Sequence, residues 1–342
     1  MACASKRIAL NTPLCYLIEN HFQEGVFMVT RGIVAILTTA MLCSAVGCSS
    51  DGDTDGGHSA QQVKPVIVTN FYPIQWLATA LTGGDAEVVS LTPEGTEPHD
   101  LAVDANGQKA LGRADVVLYL GADFQPDVQR AVAQLSPDVT TLDLLTAPGV
   151  ELLTADNIGK EALAGNKDPH VWLSPAEMIA MADAAAAAII SGAPQLHGRI
   201  ETALPQVQQA LRGLDTDYRH GLTGCATPVL VTSHAAFGYL AHEYGLEQVP
   251  IAGVTPEDEP DPQTLRSIAE VARQRHVTTV FFEDALPKNL SQTVADEIGA
   301  QVSLLSALEF DPRGSLGPDQ DYVTVMRANL DRLEKGLQCA GS

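Results

Sequence analysis

The chain has 342 residues, 45% of them hydrophobic, with 20 basic against 42 acidic side chains and a formal net charge of −22. That length and apolar share suit one large core or two medium ones, and exclude a disordered or fibrous chain. The acidic surface would repel phosphate backbones, which argues against a nucleic-acid partner, and it otherwise serves solubility.

Residues 1–48 read as a leader. From Met28 the chain runs MVTRGIVAILTTAMLCSAVGCSS: Arg31 supplies a positive n-region, residues 32–46 a short apolar segment, and a small residue, Gly47, precedes Cys48. The apolar run falls short of the 18 or more residues of a spanning helix. Residues 1–27 fit neither a signal nor a domain, so Met28 is the expected initiator. Ala45-Val46-Gly47-Cys48 resembles a bacterial lipobox, with Ala45 where leucine is usual, and this makes Cys48 the lipidation candidate. Residues 49–63 are a polar Gly/Ser/Asp stretch that reads as a flexible tether, with His58 solvated inside it.

From Lys64 short apolar strands alternate with helices. PVIVTNF reads as a strand, PIQWLATALTG as a helix opened by Pro73 and closed by Gly83, and AEVVSLT as a second strand. After the loop PEGTEPHDLAV come a helix through DANGQKALGRA, the strand DVVLYLG, the helix FQPDVQRAVAQL and the strand TTLDLL. Residues 174–222 carry helical periodicity with no strand between, and Pro205 is expected near a start or kink. Alternation resumes with the strands PVLVTSH, EQVPIAGV, TTVFFED and QVSLLSA, separated by helices, and the chain closes with the amphipathic DYVTVMRANLDRLEKGL. The expected fold is α/β: two lobes with parallel pairing, residues 64–173 and 223–342, joined by the helical region 174–222.

Three of the nine histidines, His99, His170 and His234, lie at or beyond the C-terminal ends of predicted strands, the edge where open parallel sheets bind ligands. Glu97-Pro98 and Asp168-Pro169 extend the backbone ahead of the first two. A single histidine at such a place is as readily structural, but three at matching positions of two lobes point to a metal site. A closed site needs a fourth ligand. Asp311, just past the last predicted strand, would add an oxygen to three imidazoles and suit Zn²⁺, whereas Mn²⁺ prefers more oxygen. Glu309 and Asp284 are its rivals. Asp100 and Asp168 are either partners of the adjacent histidines or ordinary loop carboxylates. His242 lies about 12 Å along a helix from His234, too far to share an ion, and His197, His220 and His276 read as surface residues.

The stretches GTEPHD, KDPHVWLSP, VTSHAAFGYLAHEYGL and ALEFDPRG…DYVTVMRANLDRL resemble the motifs of the zinc- and manganese-binding solute-binding proteins of ABC transporters, over roughly residues 64–338. The resemblance implies two (β/α) lobes bridged by a long rigid helix, with the metal held between them by His99, His170, His234 and Asp311. Manganese members tend to carry glutamate at the position of His234, so the resemblance points to zinc. The histidine-rich loop of many zinc members is missing, because ELLTADNIGKEALAGNKDPH has no histidine before His170.

Six cysteines divide by compartment. Cys3 and Cys15 precede Met28, Cys43 lies in the signal, Cys48 is the lipidation candidate, and Cys225 and Cys339 form an even pair expected to be a disulfide in an exported protein. The expectation is therefore an extracytoplasmic, lipid-anchored monomer that carries Zn²⁺ to a permease with its ATPase and is not an enzyme. A manganese receptor or adhesin on the same fold is the alternative. A zinc hydrolase is weaker still, since no HExxH, G-x-S-x-G or Gly-rich phosphate loop is present.

Overall fold

A computed structural model of the chain describes residues 63–153, 167–255, 260–284 and 287–340. The leader, Cys48, the tether with His58 and most of the stretch before Asp168 lie outside the described residues.

The first lobe opens with β1 (Val66–Thr69), fully buried, as a continuous apolar run inside a parallel sheet requires. Val66 and Val68 enter one apolar cluster and Ile67 the other, so the sheet is covered on both faces. Helix α1 (Tyr72–Thr82) starts on Pro73 and stops at Gly83, whose φ of 58° places it in the left-handed region that ends a helix. Next come β2 (Glu87–Ser90), α2 (Ala105–Leu111, capped by the Asp104 carboxylate), β3 (Val116–Tyr119), α3 (Pro126–Val132) and β4 (Thr140–Asp143). All pairings are parallel, in the order β2-β1-β3-β4.

The helical region holds two helices, the second of them long. Helix α4 (Pro175–Gly192) packs on β3 and β4, and a short turn at Pro194–Leu196 leads to α5 (His197–Gly221). At about 1.5 Å per residue α5 is about 37 Å long, and it touches α1 of the first lobe and the helix Tyr322–Leu337 of the second. Pro205 stands inside α5 rather than near its start. Both Pro205 and Glu201, four residues earlier, are exposed, so water can satisfy the carbonyl that proline leaves without a donor.

The second lobe repeats the first. Its elements are β5 (Val229–Thr232), α6 (Gly238–Tyr244), β6 (Glu247–Pro250), α7 (Pro262–Gln274), β7 (Thr279–Phe282), α8 (Asn289–Ile298), β8 (Gln301–Leu304), the one-turn α9 (Pro312–Ser315) and α10 (Tyr322–Leu337). The parallel order is β6-β5-β7-β8. Each sheet thus has a point where the chain leaves one central strand for an edge and returns beside it, at β1/β3 and at β5/β7. Crevices open at the carboxyl ends of strands at such points.

Three side-chain bonds lock these parts together. The Tyr218 hydroxyl donates to the Met326 carbonyl at 2.8 Å, Tyr322 donates to the Trp172 carbonyl at 2.6 Å, and the Trp172 indole donates to the Ala307 carbonyl at 2.7 Å. Cys225 and Cys339 are bonded to each other across 114 residues, pinning the end of α10 to the segment before β5, where Ala226 N–H also meets the Leu337 carbonyl at 3.0 Å. By loop closure such a bond is worth nominally about 4–5 kcal/mol. Denaturant unfolding with and without reductant should show a clear drop in midpoint on reduction, matched by Cys225→Ser. Equal midpoints would mean the α10 contacts alone hold the chain end.

Candidate metal centre

Four side chains meet between the lobes. His99 lies in the loop from β2 to α2, His170 in the turn ahead of α4, His234 two residues past β5, and Glu309 five residues past β8. Their ligand-type atoms all lie within 4.8 Å of one another, and all four residues are buried. One oxygen, Glu309 Oε1, stands 3.2 Å from His99 Nε2, 3.3 Å from His170 Nε2 and 3.3 Å from His234 Nε2. The edge of a tetrahedron of nitrogen and oxygen ligands about 2.0–2.1 Å from a zinc ion is about 3.3–3.4 Å.

Local structure aims each ring. The Asp168 carboxylate accepts both the backbone N–H of His170 at 2.9 Å and its Nδ1–H at 2.8 Å. Asp168 is in turn held by Tyr239, whose hydroxyl donates to its carbonyl at 3.2 Å. On His234, Nδ1 is 2.7 Å from Glu283 Oε1, which the Ser233 hydroxyl also reaches. With Nδ1 donating to a carboxylate, the lone pair of a neutral imidazole lies on Nε2, facing the centre. Glu309 is delivered by a loop fixed from two sides. Asn329 on α10 donates to the Ser306 carbonyl at 2.7 Å and accepts from the Ser306 N–H at 3.0 Å, while Trp172 holds Ala307. Leu308, with φ of 57°, turns the chain immediately before Glu309.

Four acceptor groups facing one buried point are stable only with positive charge among them. Burial alone would keep the imidazoles neutral, and it does lower His99. At His170 burial is outweighed by hydrogen bonds to Asp168 and Glu309, and at His234 by the charges of Glu283 and Glu309, so both are raised, His234 strongly. Burial would likewise raise Glu309, but the histidines around it hold its carboxyl well below the usual range. By these directions His170 and His234 favour the protonated form and Glu309 the charged one.

Asp311 is not part of this group, and Glu309 stands where the sequence reading put Asp311. The reason is local. Asp311 precedes Pro312 at the start of α9 and caps that turn, accepting from Arg313 N–H at 3.0 Å, and it is ion-paired with the Arg313 guanidinium, whose Nε is 2.9 Å away. Arg313 outweighs the effect of its partial burial and lowers its pKa. Asp284 accepts instead from the Ser315 hydroxyl at 2.6 Å, and Asp100 is exposed. His197, His220, His242 and His276 lie outside the group. Glu283 was missed by sequence reasoning. Its signal was available, as an acidic residue directly after the buried strand β7 at the switch-point edge.

The structure thus has two parallel α/β lobes bridged by helices, with a buried histidine–carboxylate cluster between them. The chain belongs to the family described as zinc-uptake complex component A, periplasmic (ZnuA), which matches residues 67–336. It is 31% identical over 307 residues to the zinc-binding lipoprotein AdcA of Streptococcus pneumoniae, covering 87% of this chain and 60% of that one. It thus spans less than two thirds of that longer relative. It is 29% identical over 318 residues to the high-affinity zinc uptake system protein ZnuA of Bacillus subtilis, covering 91% of this chain and 98% of the other. Among solved structures, the Zn(II)-bound ZnuA-like domain of pneumococcal AdcA matches with a TM-score of 0.68 at 29% identity, covering 80% of this chain and 99% of that domain.

The proton account is testable in metal-free protein with ¹⁵N-labelled histidine. His170 and His234 should remain protonated above the ordinary value of 6.5, while His99 is neutral there. The stabilisation from a raised histidine is complete below about pH 6.5 and is lost as pH rises through its folded-state value. A neutral His234 at pH 6 would contradict it.

Proposed function

We propose that this protein is an extracytoplasmic receptor that captures Zn²⁺ and delivers it to an ABC permease with its ATPase, anchored to the membrane through a lipid on Cys48. The observation that carries the reading is the single oxygen of Glu309 at 3.2–3.3 Å from three imidazole nitrogens, in a buried pocket. Three borderline nitrogens and one oxygen suit zinc better than manganese, which takes more oxygen ligands. His99, His170, His234 and Glu309 are the proposed ligands. Four protein ligands fill a tetrahedral shell and leave no position for an activated water, so the site is suited to holding its ion as cargo rather than to hydrolysis. Support also comes from relatives named for zinc binding and zinc uptake. Binding must expel the protons that the empty cluster takes up, so affinity falls as the medium becomes acidic.

Calorimetric titration with Zn²⁺ and Mn²⁺ in competition tests this reading. One zinc per chain is expected, displaced poorly by manganese. Glu309→Ala should weaken zinc binding by at least about 100-fold and Asp311→Ala by less than about threefold, on the scale by which even outer partners of a metal matter. The reverse order would return Asp311 to the ligand set. No stoichiometric zinc binding would remove the proposal, and preferential manganese binding would replace the cargo.

A further inference from the structure

The cluster is held unevenly. His170 and His234 each have a carboxylate on Nδ1, whereas His99 Nδ1 is buried and has no hydrogen-bond partner among the described residues. The loop that carries His99 also lacks the indole staple that ties the His170 turn to the Glu309 loop. Some other group must fix the direction of the His99 ring.

The sheet symmetry indicates where to look. In the second lobe, the exit from β7 puts Glu283 on His234. The corresponding strand of the first lobe is β3, and its exit, Gly121–Gln125, faces His99. Phe124 packs edge-on against the imidazole, with ring centroids 4.8 Å apart. Gln125, fully buried, donates from Nε2 to the Pro98 carbonyl at 2.8 Å and to Thr92 Oγ at 3.1 Å, and its Oε1 accepts from Asn70 Nδ2 at 2.8 Å. One amide therefore grips the His99 loop near its start and at the residue just before His99, and is itself gripped by Asn70 at the end of β1. The turn presenting Phe124 and Gln125 is a strained one. Ala122 and Asp123 have φ of 53° and 59°, a region costly for residues with a Cβ. It is maintained by Gly121 N–H on the Asp143 carboxylate at 2.9 Å and Asp123 N–H on Gln129 at 2.8 Å. Such conformations persist where the surroundings over-determine them, and they gather at functional sites.

We propose that Gln125 is a positioning residue for zinc capture, a latch on the Pro98 carbonyl that keeps His99 turned into the cluster. The proposal rests on the zinc-receptor reading. Because its ring has no carboxylate of its own, His99 is the ligand whose hold depends on a neutral amide. It is therefore the ligand that lets go first when the ion leaves.

The test is the rate of zinc dissociation into excess chelator, measured for the wild type, Gln125→Met, His99→Ala and the double variant. Gln125→Met keeps the volume and removes both donated bonds. It should speed dissociation on the order of 10-fold, the scale of lost outer support for a metal ligand. In the His99→Ala background the same change should add nothing, because a latch has no effect once its ligand is gone. Should Gln125→Met not fold, Gln125→Asn, one methylene too short, carries the same expectation. An unchanged rate, or an equal acceleration in both backgrounds, overturns the latch while leaving the receptor reading intact. A wild type that binds no zinc overturns both.

Discussion

The structure is organised around a local electrostatic conflict: a carboxylate oxygen surrounded by three imidazole nitrogens, all out of water. Acceptors cannot be buried face to face without something positive between them. Protons can serve, and the raised histidines with the depressed Glu309 describe the cluster in that condition. A divalent cation serves better, because it meets all four groups at once.

Holding such a conflict in place demands rigidity, and the fold provides it. Parallel sheets end their strands on one edge, and two sheets with the same strand order bring the loops from those edges together around the cluster. His234 and Glu283 come from the ends of the adjacent strands β5 and β7, so strand pairing alone sets their separation. His170 and Glu309 come from loops, and these are tied to each other by Trp172, Tyr322 and Asn329. The fixed part of the site is thus continuous with the core. His99 belongs to a separate loop held through Gln125, which gives the site one side that can yield.

The architecture was legible because strands buried on both faces write themselves as short apolar runs such as VIVT and VLVT, punctuated by proline and glycine at helix ends. The four central strands β1, β3, β5 and β7 follow that signal, whereas the edge strands β2, β4, β6 and β8 are poorer in apolar residues and partly exposed. The three histidines were legible by their place after strands. The carboxylate was harder, since Glu309 and Asp311 sit two residues apart in a loop without periodicity. Which one turns inward depends on Leu308 in the left-handed region and on Pro312 starting α9, features set by tertiary contacts. The Asp-Pro pair does carry the mark of a helix cap, and read as one it would have freed Glu309 for the site. Glu283 and Gln125 act through neighbours in loops that follow other strands, so only the assembled lobes reveal them.

In the proposed receptor, Glu309 and three imidazoles close around zinc. X-ray absorption at the zinc edge of the loaded protein, with a crystal structure phased on the zinc, examines it most directly. A four-coordinate ion is expected, about 2.0–2.1 Å from three histidine nitrogens and one Glu309 oxygen. A zinc held by Asp311, or one with water in place of Glu309, would contradict it.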